Sequence, residues 1–109
     1  MYDLIIYKAI TNPYMRLVRV ADGGVVVAAT GAVSTTTSWA TSYTALTRDD
    51  VRGGLLVTIP ANTPPGDYDL LIYDAAAPAD TDAPAFGKRI QWSGTQILGV
   101  PLDIPTVYV

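Results

Sequence analysis

All ten acidic side chains of this 109-residue chain are aspartates, and the densest group is Asp67, Asp69 and Asp74, followed by Asp80 and Asp82. Carboxylates are the groups here most able to do chemistry. They supply the oxygens that a hard cation such as calcium takes. Two of them opposed across a cleft, one with a raised pKa, would make the acid and base of glycoside hydrolysis. The spacing matches no EF-hand loop, which sets its ligands at fixed offsets around a glycine and closes on a bidentate glutamate. Sequence alone cannot oppose two of these acids across a cleft. The expectation is that they are turn residues, where an Asp side chain bonds nearby backbone. Neither a metal nor a cofactor is expected.

Other reactive groups are missing. Histidine and cysteine are both absent, which removes imidazole bases, thiolate nucleophiles, disulfides and the commonest transition-metal ligands. Serine and threonine are plentiful, but no Ser-x-x-Lys spacing offers a base to activate a hydroxyl. Gly23-Gly24 and Gly53-Gly54 lack the pattern of a phosphate loop and read as turns. No catalytic residue and no enzymatic activity are therefore expected. A net charge of −3 with the seven Lys and Arg dispersed argues against nucleic acid as a partner. The charge-free run from Gly23 to Thr47 is long enough to cross a bilayer, but its second half is Ser and Thr, so a membrane is not expected either. The N-terminal residues lack the basic start of a signal peptide and read as a strand. Trp39, Trp92 and Tyr73 could form a platform for stacking on a sugar. Trp92, on one face with Ile90, is expected in the core, which leaves Trp39 as the candidate for an exposed ring.

The elements that must position these residues are strands. Thr, Val, Pro and Gly are abundant and glutamate is absent, a composition that suits strands and turns and disfavours helices. The organising stretch is Pro64 to Asp74. Pro65 and Gly66 suit the central positions of a type II turn, and Tyr68, Leu70 and Ile72 then alternate with Asp69, Leu71 and Tyr73. Residues 2–8 present apolar side chains to both sides, so they are either a central strand or one covered by a neighbouring subunit. Tyr14 to Val20 changes face midway, as a bulge would require, and turns through Ala21-Asp22-Gly23-Gly24 into a return strand. A loop or edge segment over Gly31–Ser38, a strand over Trp39–Leu46, one helical turn capped at Thr47 and a strand over Leu55–Ile59 precede the organising turn. After it come an exposed connection over Ala75–Pro84, a strand ending at Trp92, a turn at Ser93-Gly94 and a return over Thr95–Leu98.

The fold class is thus all-β, an antiparallel sandwich of about seven to eight strands. Residues 1–98 form the domain and residues 99–109 an extended C-terminal arm, since Pro101 and Pro105 bar that segment from a central strand; the arm lies either on a neighbouring subunit or on its own domain. A tyrosine two residues after Pro65-Gly66, followed by alternating aliphatics, resembles the corner of immunoglobulin-like and fibronectin type III sandwiches. That resemblance implies that the Tyr68 hydroxyl ties the corner to nearby backbone.

The turn and strand over Gly66–Asp74, the Ala/Pro connection and the hairpin Gly87 to Gly94 together resemble small virion structural proteins of tailed bacteriophages. What the resemblance implies is assembly on a virion, as a capsid cement or decoration subunit on the capsid surface. The partners would be copies of the same chain as a homo-oligomer, a trimer among the arrangements, and the major capsid protein or other virion subunits. A tail or head-to-tail component and a glycan-binding adhesin module using Trp39 are the alternatives. Composition points the same way: half of the residues are hydrophobic and only 16% charged, more apolar surface than one small core usually absorbs. The expected interface comprises Tyr2, Leu4, Ile5 and Tyr7 at the N-terminus and Leu71 and Tyr73 on the second face of the organising strand. Val100, Leu102, Ile104, Val107 and Tyr108 of the arm complete it.

Overall fold

The computed structural model describes residues 3–35, 43–48, 53–74 and 83–104. Among these residues there are ten strands and no helix. They are β1 (Leu4–Ile6), β2 (Pro13–Arg19), β3 (Val25–Val26), β4 (Val33–Ser34), β5 (Thr44–Ala45), β6 (Thr47–Arg48), β7 (Leu55–Val57), β8 (Gly66–Asp74), β9 (Phe86–Trp92) and β10 (Ile97–Ile104). All pairings are antiparallel. β1-β7-β6 make a small sheet, β10-β9-β8-β2-β3-β4 a large one, and β5 adds to β2. The arrangement is sandwich-like, and the strand number exceeds the expected one because several strands pair over only two residues.

The core lies between the sheets and follows the period-2 pattern. Tyr68, Leu70 and Ile72 of β8 meet Ile90, Phe86 and Trp92 of β9 and Met15 and Leu17 of β2, while Ile6, Leu55 and Val57 face them from the small sheet. Register explains the matches: Leu17 lies opposite Leu70, Met15 opposite Ile72 and Tyr68 opposite Ile90. Trp92 is in the core as expected.

The hairpin between β2 and β3 forms where the sequence placed it. Gly23 takes a φ of 72°, which a side chain would resist, and the Arg19 amide donates to the Gly24 carbonyl at 2.7 Å. Asp22 is held by the Arg19 guanidinium through both oxygens, at 3.0 and 2.6 Å, and accepts from the Gly24 amide at 2.9 Å.

Four local expectations change. No bulge interrupts β2, whose residues run in unbroken register with β8 from Pro13 opposite Asp74 to Arg19 opposite Tyr68; Val18 simply faces outward. The reversal before β8 is not at Pro65-Gly66. It lies at Pro60–Thr63, where the Thr63 amide and hydroxyl donate to the Pro60 carbonyl at 3.3 and 2.7 Å and Asn62 supplies the positive φ of 69°. Gly66, with a φ of 154°, is far from the value of that turn position and opens β8 instead. Thr47-Arg48 is strand β6 paired with β7 through Leu55-Leu56, and residues 49–52, over which the expected helical turn would run, lie outside the described residues. The strand expected over Trp39–Leu46 appears as Thr44–Ala45, and residues 36–42, Trp39 among them, lie outside the described residues.

The Asp22 carboxyl is lowered from 3.8 to about 2, first by the hydrogen bond from Arg19 and then by the Gly24 amide. A depressed folded-state pKa adds stability that is present above the unfolded value and disappears as pH falls through the folded one. Asp22→Asn is therefore expected to flatten the stability profile between about pH 4 and pH 2, measured by urea denaturation across that range. An unchanged slope would contradict the bidentate pair in solution.

Candidate interaction surfaces

The corner before β8 is tied from three directions. The Tyr68 hydroxyl donates to the Pro64 carbonyl at 2.8 Å, and burial pushes its pKa up, which keeps it a donor. The Trp92 indole N–H donates to the Thr63 carbonyl at 3.0 Å. Pro65 is exposed and rests against Gly94 of the next turn, where a Cβ would come within 3.3 Å of the proline ring. Gly66 leads from this corner into the sheet.

On the second face of β8, Asp69, Leu71 and Tyr73 sit opposite Val18, Arg16 and Tyr14 of β2, with Arg89 and Gly87 of β9 opposite Asp69 and Leu71. This face is closed. Asp69 is 1% exposed, and its carboxylate accepts from Arg89 Nε at 2.7 Å and Nη2 at 3.0 Å. Leu71 and Tyr73 are 2% and 4% exposed, and the Tyr14 ring meets Tyr43 edge-on with centroids 5.2 Å apart. The two apolar residues expected to offer interface area here are already covered within the chain.

The N-terminal strand is different. Among the described residues β1 pairs with β7 alone and forms one edge of the small sheet. Leu4 packs on the core, Ile5 is half-buried, and Tyr7 just beyond the strand is 63% exposed. Ile5 and Tyr7 close over Gly54: a Cβ there would strike Ile5 Cγ2 and come within 3.0 Å of the tyrosine ring. The strand is firmly held. Asp3 accepts from the Ile59 amide at 2.8 Å. Arg48 Nη2 donates to the Lys8 and Ile10 carbonyls at 3.1 and 3.0 Å, and its Nη1 donates to Gly53 at 2.6 Å. No sequence pattern marked this arginine, because two of its three partners are the carbonyls of Lys8 and Ile10, 40 and 38 residues away in the chain. Lys8 turns its ammonium over the Phe86 ring, 4.6 Å from the centroid.

Residues 99–104, expected to begin the arm, continue β10 at the edge of the large sheet. Leu102 lies opposite Arg89 and Ile104 opposite Gly87, with a register irregularity between Leu98 and Leu102. Pro101 is tolerated because an edge strand can leave one side unpaired. Val100, Leu102 and Ile104 thus belong to a strand, whereas Tyr2, Val107 and Tyr108 lie outside the described residues.

Among the described residues the acids do not converge. Asp67 is exposed at the start of β8, Asp69 is bound by Arg89, and Asp74, at the far end, accepts from the Asn12 amide at 2.9 Å. Asp74 lies seven steps along the strand from Asp67, roughly 23 Å. Among the described residues no three acids gather as a metal site would need, and Asp80 and Asp82 lie outside them. No protein-family model matches the chain, and no curated protein and no solved structure matches it significantly.

Arg89→Met leaves the Asp69 carboxylate enclosed without its bidentate donor, which is expected to cost about 3 kcal/mol. Guanidinium denaturation should show a lower midpoint at unchanged slope, and Asp69→Leu combined with Arg89→Met should regain most of the loss. A single variant as stable as the native protein would contradict the pairing.

Proposed function

We propose that the protein is a non-enzymatic structural subunit that works by association, as a capsid cement or decoration subunit on the surface of a tailed-bacteriophage head. Its neighbours are copies of itself, in a homo-oligomer such as a trimer, and the major capsid protein. A tail or head-to-tail position is the alternative place for the same mechanism. One observation carries the reading. A strand with apolar side chains on both faces must be central in its sheet or covered from outside, and β1 is an edge strand with Tyr7 bare beside it. Among the described residues no second strand flanks β1, which supports cover by another chain.

An edge strand offers unpaired backbone groups to whatever approaches it. A lysine is the usual guard against such pairing, but Lys8 is engaged on Phe86. Each contact stabilises by about 25 cal/mol per Å² of apolar area buried, and repetition over many copies on a lattice strengthens modest contacts. The hydrogen bond from Tyr68 to Pro64 supports an immunoglobulin-like kinship for the sandwich.

Tyr7→Lys places a charge in the bare apolar position while leaving the core alone. Light scattering is expected to find the native protein oligomeric and the variant monomeric, and the variant should no longer bind shells from which the native subunit has been stripped. A variant that assembles and binds as the native protein does would overturn the reading.

A further inference from the structure

Asp22-Gly23 is the one Asp-Gly step in the sequence, and it stands exposed at the tip of the hairpin between β2 and β3. An aspartate followed by glycine is open to attack by its own main chain. No side chain shields the Gly23 nitrogen, and its bond to the Asp22 Cγ would close a five-membered ring. In this turn both reactants are occupied, and largely by one residue. The Gly23 amide donates to the Arg19 carbonyl at 2.8 Å. Three donors hold the carboxylate: Arg19 Nε at 3.0 Å and the Gly24 amide at 2.9 Å on Oδ1, and Arg19 Nη2 at 2.6 Å on Oδ2.

We propose that Asp22-Gly23 is a latent site of aspartate isomerisation and that Arg19 is the positioning residue that keeps it closed. The reaction needs only the chain and water. The Gly23 nitrogen bonds to Cγ of the protonated carboxyl, and its proton leaves with the carboxyl hydroxyl as water, which gives a succinimide. Water then opens the ring at either carbonyl; opening at the main-chain one leaves Gly23 joined through Cγ, as isoaspartate. Arg19 opposes each requirement of the closure. Its carbonyl retains the amide proton, and its guanidinium, with the Gly24 amide, anchors the side chain that would have to swing over the Gly23 nitrogen. The same contacts hold the carboxyl well below its ordinary range, whereas loss of the hydroxyl requires the protonated form. Isomerisation would add one carbon to the main chain between β2 and β3. The bond from the Arg19 amide to the Gly24 carbonyl and the pairing of Val18 with Val25 span that link, and Val26 beside them is in the core, so the modification would loosen β3 from the large sheet.

The test is to hold the full chain warm near neutral pH for several weeks and to measure isoaspartate at position 22 by methyl transfer from labelled S-adenosylmethionine with an isoaspartyl methyltransferase, the position fixed by peptide fragmentation. Isoaspartate is expected to form slowly in the folded native chain and faster in the same chain unfolded in urea. In Arg19→Met it should form about tenfold faster than in the native protein, and in Arg19→Lys, which cannot grip both oxygens in parallel, at a rate between the two. Amide exchange in β8 shows that each variant keeps its fold. Equal rates in the folded and unfolded native chain would overturn the protection, and folded variants that isomerise no faster than the native protein would overturn the role of Arg19.

Discussion

β8 is buried on both faces over six successive residues, Tyr68 to Tyr73, and the rest of the structure follows from having to cover it. A strand of that kind must have a neighbour on each edge and a layer on each side. β2 and β9 supply the edges. The small sheet covers the face of Tyr68, Leu70 and Ile72 with Ile6, Leu55 and Val57. The opposite face includes a carboxylate, Asp69, which water would otherwise solvate; Arg89 meets it with two hydrogen bonds, which offsets the cost of its burial. One strand thus dictates an aliphatic layer on one side and an ion pair with tyrosines on the other.

The corner leading into β8 has the same dependence. Tyr68 is in the core, yet its hydroxyl must find a partner, and the Pro64 carbonyl is within reach only because the chain turned at Pro60–Thr63. Trp92 meets the same requirement through the Thr63 carbonyl. Two large aromatic side chains are therefore fixed by backbone oxygens of one connection, which couples the crossing between the sheets to the packing beneath it.

Strand type and facing were legible in the sequence wherever period-2 alternation was strong, as in β8, β9 and β7, and where Asp22-Gly23 forced a hairpin. The all-β composition and the core position of Trp92 also followed from residue types alone. Place within a sheet was not legible, because a two-sided apolar strand reads alike whether it is central or waiting for a partner; β1 is the case in point. The Pro65-Gly66 turn was misplaced since Asn62 can take a left-handed φ as well as glycine can in such a turn. Thr47 looked like a helix cap because capping signals are local, while its pairing with Leu56 is decided by tertiary contact. The contact of Lys8 with Phe86 and those of Arg48 with the Lys8 and Ile10 carbonyls join residues far apart in the chain, and no spacing rule reaches them.

Two strand edges remain with no strand beside them among the described residues of the terminal segments, β1 on the small sheet and β10 on the large one. They differ in readiness: β10 carries Pro101 and a register irregularity, features that discourage pairing, whereas β1 is regular and apolar. Hydrogen exchange of the native protein at a low and a high concentration tests most directly whether a second chain covers β1. The expected result is slower exchange of Leu4 to Tyr7 amides at the higher concentration, with β8 equally slow at both. Exchange of β1 that does not depend on concentration would contradict a function by self-association through this edge.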